Sequence, residues 1–116
     1  APEGLDGWLD WCVFLGDRGR ATEALEAAER GVALGPTNAT ALNNRGWSRL
    51  LAKELPAAQR DLEEAIRLDP AAWLPRANLA RVHLAQGRLE FALGRAEEAV
   101  RMAGDASTTP WRILAR

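Results

Sequence analysis

Apolar residues recur at three- and four-residue spacing along most of this chain, the pattern of helices that each bury one face. From Ala39 to Ala52 the spacing predicts one helix, interrupted near Lys53-Glu54. Pro56 then stands where a new helix begins, a place that tolerates proline because that N–H has no helical partner. The second helix carries Ala58, Leu62, Ala65 and Ile66 on one face until Pro70 ends it. A similar pair follows with Gly87 as its breaker, and another precedes it with Gly16 and Gly19 as breakers.

The pairs are copies of one unit. Pro36 and Pro70 close equivalent stretches, and Gly104 takes the same place after Val100-Arg101-Met102-Ala103. Three blocks, 5–38, 39–72 and 73–106, align without a gap. Ala24, Ala58 and Ala92 then share a column, as do Ala28, Leu62 and Ala96; Gly31, Ala65 and Ala99; and Val32, Ile66 and Val100. Self-similarity at a fixed period of this size marks stacked repeats. The small residues let helix backbones approach closely, which a leucine at position 58 would prevent.

These columns resemble the tetratricopeptide repeat (TPR) family. The first block carries Trp8, Gly19, Ala24 and Pro36 at the family's positions, and the second Gly46, Ala58, Leu62, Ala65 and Pro70. The third carries Leu79, Ala80, Gly87, Ala92 and Ala99. Asn43-Asn44-Arg45-Gly46 looks like a variant common among bacterial members. Departures are Arg49 and His83 for the usual tyrosine, Arg76 for the tryptophan and Gly104 for the proline. The resemblance implies an all-α, right-handed superhelical solenoid of antiparallel helix pairs, first helices lining a concave groove and second helices outside. Residues 1–4 read as a disordered lead and 5–106 as one domain. Residues 107–116 read as a partial C-terminal capping helix, with Trp111, Ile113 and Leu114 over the last repeat.

Composition narrows the function. Fifteen basic against sixteen acidic residues leave a net charge of −1, which removes the electrostatic reason to expect nucleic acid or an anionic membrane. Lys53 is the only lysine, a skew that with the high alanine content suggests a GC-rich bacterial genome. No apolar run reaches membrane length and no signal peptide opens the chain, so a cytoplasmic setting is expected. A single cysteine, Cys12, and a single histidine, His83, exclude an internal disulfide and a cysteine-rich or paired-histidine metal site. No cofactor is expected.

Nor is an enzyme. Cys12 falls in the small-residue packing column with Gly46 and Ala80, and His83 in a helix-packing column. Gly16-Asp17-Arg18-Gly19 is too short for a phosphate loop and joins two helices. Glu63-Glu64 and Glu97-Glu98 belong on solvated faces.

The resemblance places the groove on one stripe of each first helix: Asp6, Leu9, Asp10, Val13 and Asp17; Thr40, Asn43, Asn44, Trp47 and Leu51; Leu74, Ala77, Asn78, Arg81 and Ala85. Two rows cross the repeats, Asp10-Asn44-Asn78 and Val13-Trp47-Arg81. An asparagine amide donates and accepts at once, as a peptide group does. Tryptophan and arginine are the types most enriched at binding hot spots. Asp10, Asn43, Asn44, Trp47, Asn78 and Arg81 therefore form the candidate partner-binding set. For Trp47, ligand contact and packing between repeats both stay open. Trp8 and Trp11 are expected in the core, and Arg45 and Arg49 with buried stems and guanidinium groups at a polar edge. Family members that clamp the carboxylate-terminated tails of cytosolic chaperones use two lysines, two asparagines and an arginine. The matching positions here are Leu9, Val13, Asn44, Leu74 and Asn78, so only Asn44 fits and no cation remains. The expected function is a protein–protein interaction module binding an extended segment or helix of another protein. The alternative is a structural module that stacks on itself, as a homo-oligomer, or on the rest of a longer chain.

Overall fold

The computed structural model describes residues 2–104, and helices fill nearly all of it. In chain order they are α1 (Leu5–Asp17), α2 (Ala21–Leu34), α3 (Ala39–Leu51), α4 (Leu55–Leu68), α5 (Leu74–Ala85) and α6 (Leu89–Ala103). The expected capping helix over 107–116 lies outside the described residues.

Each pair, α1/α2, α3/α4 and α5/α6, packs against the next through α2 on α3 and α4 on α5. First helices also touch one another, α1 with α3 and α3 with α5, whereas α2, α4 and α6 make no contact among themselves. Crowding on one side and spreading on the other bends the stack, so the first helices line the inner face.

Local chemistry sets the helix ends. The Asn38 side chain caps α3 by accepting from the Ala41 N–H at 2.9 Å. Pro56 and Pro75 sit in the first turns of α4 and α5. The turn inside each pair repeats to the atom. Gly19, Lys53 and Gly87 all have positive φ, at 77°, 66° and 77°. The residue after each donates its N–H five positions back, to Leu15, Arg49 and His83 at 3.0, 2.8 and 2.9 Å, which ties off a helix-end carbonyl. Gly16, expected as a breaker, instead lies inside α1, and only Gly19 ends the helix.

Lys53 thus holds a left-handed backbone that its neighbours in the column fill with glycine. A β-carbon there costs about 1–2 kcal/mol, against which glycine adds roughly 0.5–1 kcal/mol of chain entropy to be lost. Lys53→Gly should therefore raise stability by about 0.5–1 kcal/mol, read as a higher urea midpoint at unchanged slope.

The core is a seam of small residues with leucines between them. Ala24, Ala58 and Ala92 are fully buried, as are Ala28, Leu62 and Ala96 in the next column. Leu62 packs with Ala58, Leu79 and Val82, so the middle pair shares its core with the third. Gly46 is what lets α3 sit down on α4: a β-carbon there would lie 2.7 Å from Leu62 Cγ and 3.3 Å from the Ala58 carbonyl oxygen.

One polar knot interrupts this apolar seam. Asp61, nearly fully buried on α4, accepts two hydrogen bonds from the Arg45 guanidinium, at 2.9 and 2.8 Å. It accepts a third from Arg49 at 2.8 Å. The side chains of Arg45 and Arg49 stay only 24% and 20% exposed. Both arginines do bury their stems, but their charged ends meet an internal carboxylate that the sequence pattern did not single out. The carboxylate bonds hold the Arg45 pKa above its already high usual value, against the opposing effect of burial.

Candidate functional site: the concave groove

α1, α3 and α5 lie side by side and leave a cleft of about 150 Å³, lined by Val13, Asp17, Asn43, Asn44, Trp47, Leu74, Asn78 and Arg81. Val13 and Leu74 are 42% and 43% exposed, giving the cleft apolar walls. A second hollow continues it toward the turn end, between Trp47, Leu50, Leu51, Lys53, Arg81, Leu84 and Ala85. Trp47 and Arg81 belong to both and stand on the divide.

Five of the six candidate residues meet in the first cleft: Asn43, Asn44, Trp47, Asn78 and Arg81. Asp10 is exposed on α1 but does not line it; the acidic group that does is Asp17. Leu9 and Ala77, expected on the groove stripe, are buried under their neighbours. Leu50, Lys53 and Leu84 line the second hollow without having been on the predicted stripe. A pattern tuned to one helical stripe overlooks them because they come from its edge and from the turn.

The asparagines are buried and tied across the repeats. Asn78 Nδ2 donates to Asn43 Oδ1 at 3.0 Å, and Asn44 Nδ2 reaches the Leu9 carbonyl oxygen at 3.4 Å. Arg81 Nη1 donates to Asn78 Oδ1 at 3.0 Å. An amide side chain offers two donors and two lone pairs, and these bonds use two of the four on Asn78. The same residues that face the cleft therefore hold its register.

Trp47 does two things at once. Its six-membered ring lies over α1 at Gly16, where a β-carbon would come within 2.2 Å of Cη2. Its remaining surface, about half-buried, borders both hollows. That contact also explains why Gly16 is glycine although it ends nothing.

Neither Cys12 nor His83 offers chemistry to the cleft. Cys12 is fully buried beside Ser48, its Sγ 3.2 Å from Ser48 Oγ. Burial pushes its thiol pKa up, partly opposed by that hydrogen bond, so it stays protonated and unreactive. His83 is buried at the α5/α6 seam beside Phe91. Burial depresses its pKa, with Arg88 and Arg95 adding to the effect and Gln86 and Glu63 opposing it, which favours the neutral ring. Among the described residues no group of His, Cys, Asp and Glu could hold a metal ion, and no helix is long and apolar enough to cross a membrane.

Trp8 and Trp11 divide. Trp8 packs partly against Cys12, Leu15, Ala24, Ala27 and Ala28. Trp11, expected in the core, is 41% exposed and stacks instead on Phe14, with ring centroids 5.3 Å apart. No described helix covers that side of α1.

No protein-family model matches the chain, and no curated protein matches it in sequence. Solved structures do match. The first TPR domain of the human RPAP3 protein superposes with a TM-score of 0.84 at 17% identity, over 99% of this chain and 90% of that one. The fold is the TPR fold. The first TPR of Spaghetti (RPAP3), bound to the HSP90 peptide SRMEEVD, gives a TM-score of 0.82 at 16% identity, covering 99% of this chain and 90% of that one. MamA gives 0.77 at 22% identity over 95% of this chain, which spans 64% of the MamA chain. The TPR solenoid accounts for the repeat period, the small-residue seam and the groove on the first helices.

Proposed function

We propose that this TPR domain is a non-catalytic protein-interaction module, and that its concave groove holds an extended segment or a helix of a partner protein. The observation that carries this reading is the cleft between α1, α3 and α5, open to solvent, with the apolar walls Val13 and Leu74 around hydrogen-bonding amides and Arg81. Apolar surface beside a few fixed polar groups suits a segment of chain with a mixed sequence. Cys12 and His83 are both buried and neither lines the cleft, so no thiol or imidazole stands beside its one carboxylate, Asp17, in keeping with binding alone.

Charge narrows the partner. Asp6, Asp10 and Asp17 are exposed along α1, whereas Arg81 stands on α5. A segment that crosses the groove is best matched with a basic end over α1 and a polar or acidic residue near Arg81. The HSP90 peptide SRMEEVD, held by Spaghetti, would find a single cation in this cleft, Arg81, for its several carboxylates, since Val13 and Leu74 bring no charge.

A displayed library of random peptides, selected on the domain, tests the proposal. The expected result is enrichment of sequences with lysine or arginine beside apolar residues, and no binding of SRMEEVD. Leu74→Ser should weaken a selected peptide by about 2 kcal/mol, roughly 30-fold, without changing the melt. Arg81→Ala should weaken it by a similar factor with a lower melting point as well, since it also removes the bond to Asn78. Selection of sequences indifferent to both substitutions would place the binding surface elsewhere.

A further inference from the structure

The repeat register also says what fits the outer faces of the first and third pairs. Inside the chain, each second helix packs against the following pair, and one line of positions on it, half-buried at its ends with an exposed glutamate between, runs along that side. On α2 that line is Leu25, Glu29 and Val32, and on α4 it is Gln59, Glu63 and Ile66. Two contacts mark it between α4 and α5: Gln86 Nε2 donates to Gln59 Oε1 at 3.2 Å, and Ile66 packs against the cluster that holds Leu79 and Val82.

The same line on α6 is Leu93, Glu97 and Val100, and no described helix covers it. Leu93 is 46% exposed where its equivalents Leu25 and Gln59 are half-buried, while Val100, like Val32 and Ile66, is half-buried. At the other end, the positions equivalent to Leu42, Arg45 and Arg49 are Trp8, Trp11 and Leu15. In the second pair α2 packs on the helix that carries these residues, and Arg45 and Arg49 reach Asp61 of α4. In the first pair Trp8, Trp11 and Leu15 border an open hollow of about 370 Å³ with Glu23, Glu26, Ala27 and Arg30. Among the described residues one surface of each kind is thus uncovered, and inside the molecule α2 on α3 and α4 on α5 already join such surfaces twice.

We propose that these ends join: a second copy of this chain stacks head to tail, α6 of one copy lying over Trp8 and Trp11 of the next. The junction continues the repeat interface present between α2 and α3 and between α4 and α5. Leu93 and Val100 meet the indoles, adding apolar contact where the internal junctions use Arg45 and His83. Because the two surfaces differ, the contact is heterologous and growth is open-ended rather than closing at a dimer. This site lies apart from the concave groove, so a failed peptide selection would leave it standing.

The test uses the full chain in sedimentation velocity over a concentration series, with Trp11→Glu and Leu93→Glu as variants. The expected wild-type result is a mean mass that climbs with concentration and passes that of a dimer. Each variant alone should stay monomeric, having lost one surface. Mixed in equal amounts, the two variants should form a one-to-one dimer and stop, since each keeps the surface its partner needs. Trp11→Ser and Leu93→Ser serve if either glutamate variant loses its helical signal. A wild-type chain that stays monomeric throughout, as it would if residues 107–116 covered α6, overturns the proposal. So does a dimer of fixed size that either variant still forms alone.

Discussion

Asp61→Ala should cost the domain about 3 kcal/mol, the largest loss expected from any single polar substitution. The carboxylate is nearly fully buried and receives three charge-assisted hydrogen bonds, from Arg45 and Arg49 on the neighbouring helix. Removing one partner of a buried ion pair leaves the other charge uncompensated, typically at about 3–5 kcal/mol. Here the arginines keep roughly a fifth of their surface in water, so the lower end applies. Asp61→Asn keeps the shape and an accepting oxygen and should lose less. Chemical denaturation of both variants measures the difference. A loss below about 1 kcal/mol for alanine would class the triad with surface ion pairs.

Gly46→Val should be nearly as damaging, at about 2–3 kcal/mol, for a reason that has nothing to do with charge. Its first added carbon would press on Leu62 and on the Ala58 carbonyl, and Leu62 has no free space to enter. Gly94 provides the control. It too lies within a helix, α6, yet nothing stands within 4 Å of its missing β-carbon. Gly94→Ala should gain roughly 1 kcal/mol from helix propensity alone. Opposite signs at the two glycines in thermal melts would confirm that the close approach of α3 and α4 is what sets the first cost.

The helices and their pairing were legible because two periods coincide in the chain. Apolar spacing marks a helix face, and the column Ala24–Ala58–Ala92 marks where faces meet. The groove was legible at the level of a stripe: Asn43, Asn44, Trp47, Asn78 and Arg81 do gather around one cleft. What the pattern hid were contacts between residues of unrelated columns. Asp61 shares its column with Ala27 and Arg95, so nothing in the register marks it as an internal anion. The signal was indirect: Arg45 and Arg49 stand where the other blocks hold Trp11 and Leu79, and Leu15 and His83. Two cations one helical turn apart in packing columns call for an anion opposite. Gly16 was misread for a similar reason, because only the distant Trp47 ring explains it. Trp11 was placed in the core on hydrophobicity alone, which cannot reveal that its side of α1 has no covering helix.

The outer pairs, α1/α2 and α5/α6, never touch each other; every route between them runs through α3/α4. Mechanically the domain is a chain of three links and not a single block. Either end can therefore open by breaking one junction while the rest stays folded, whereas loosening the middle releases both ends together. A ligand laid across α1, α3 and α5 would act as a strap over both junctions, and its grip would be felt as slower opening of the ends as much as in its own contacts.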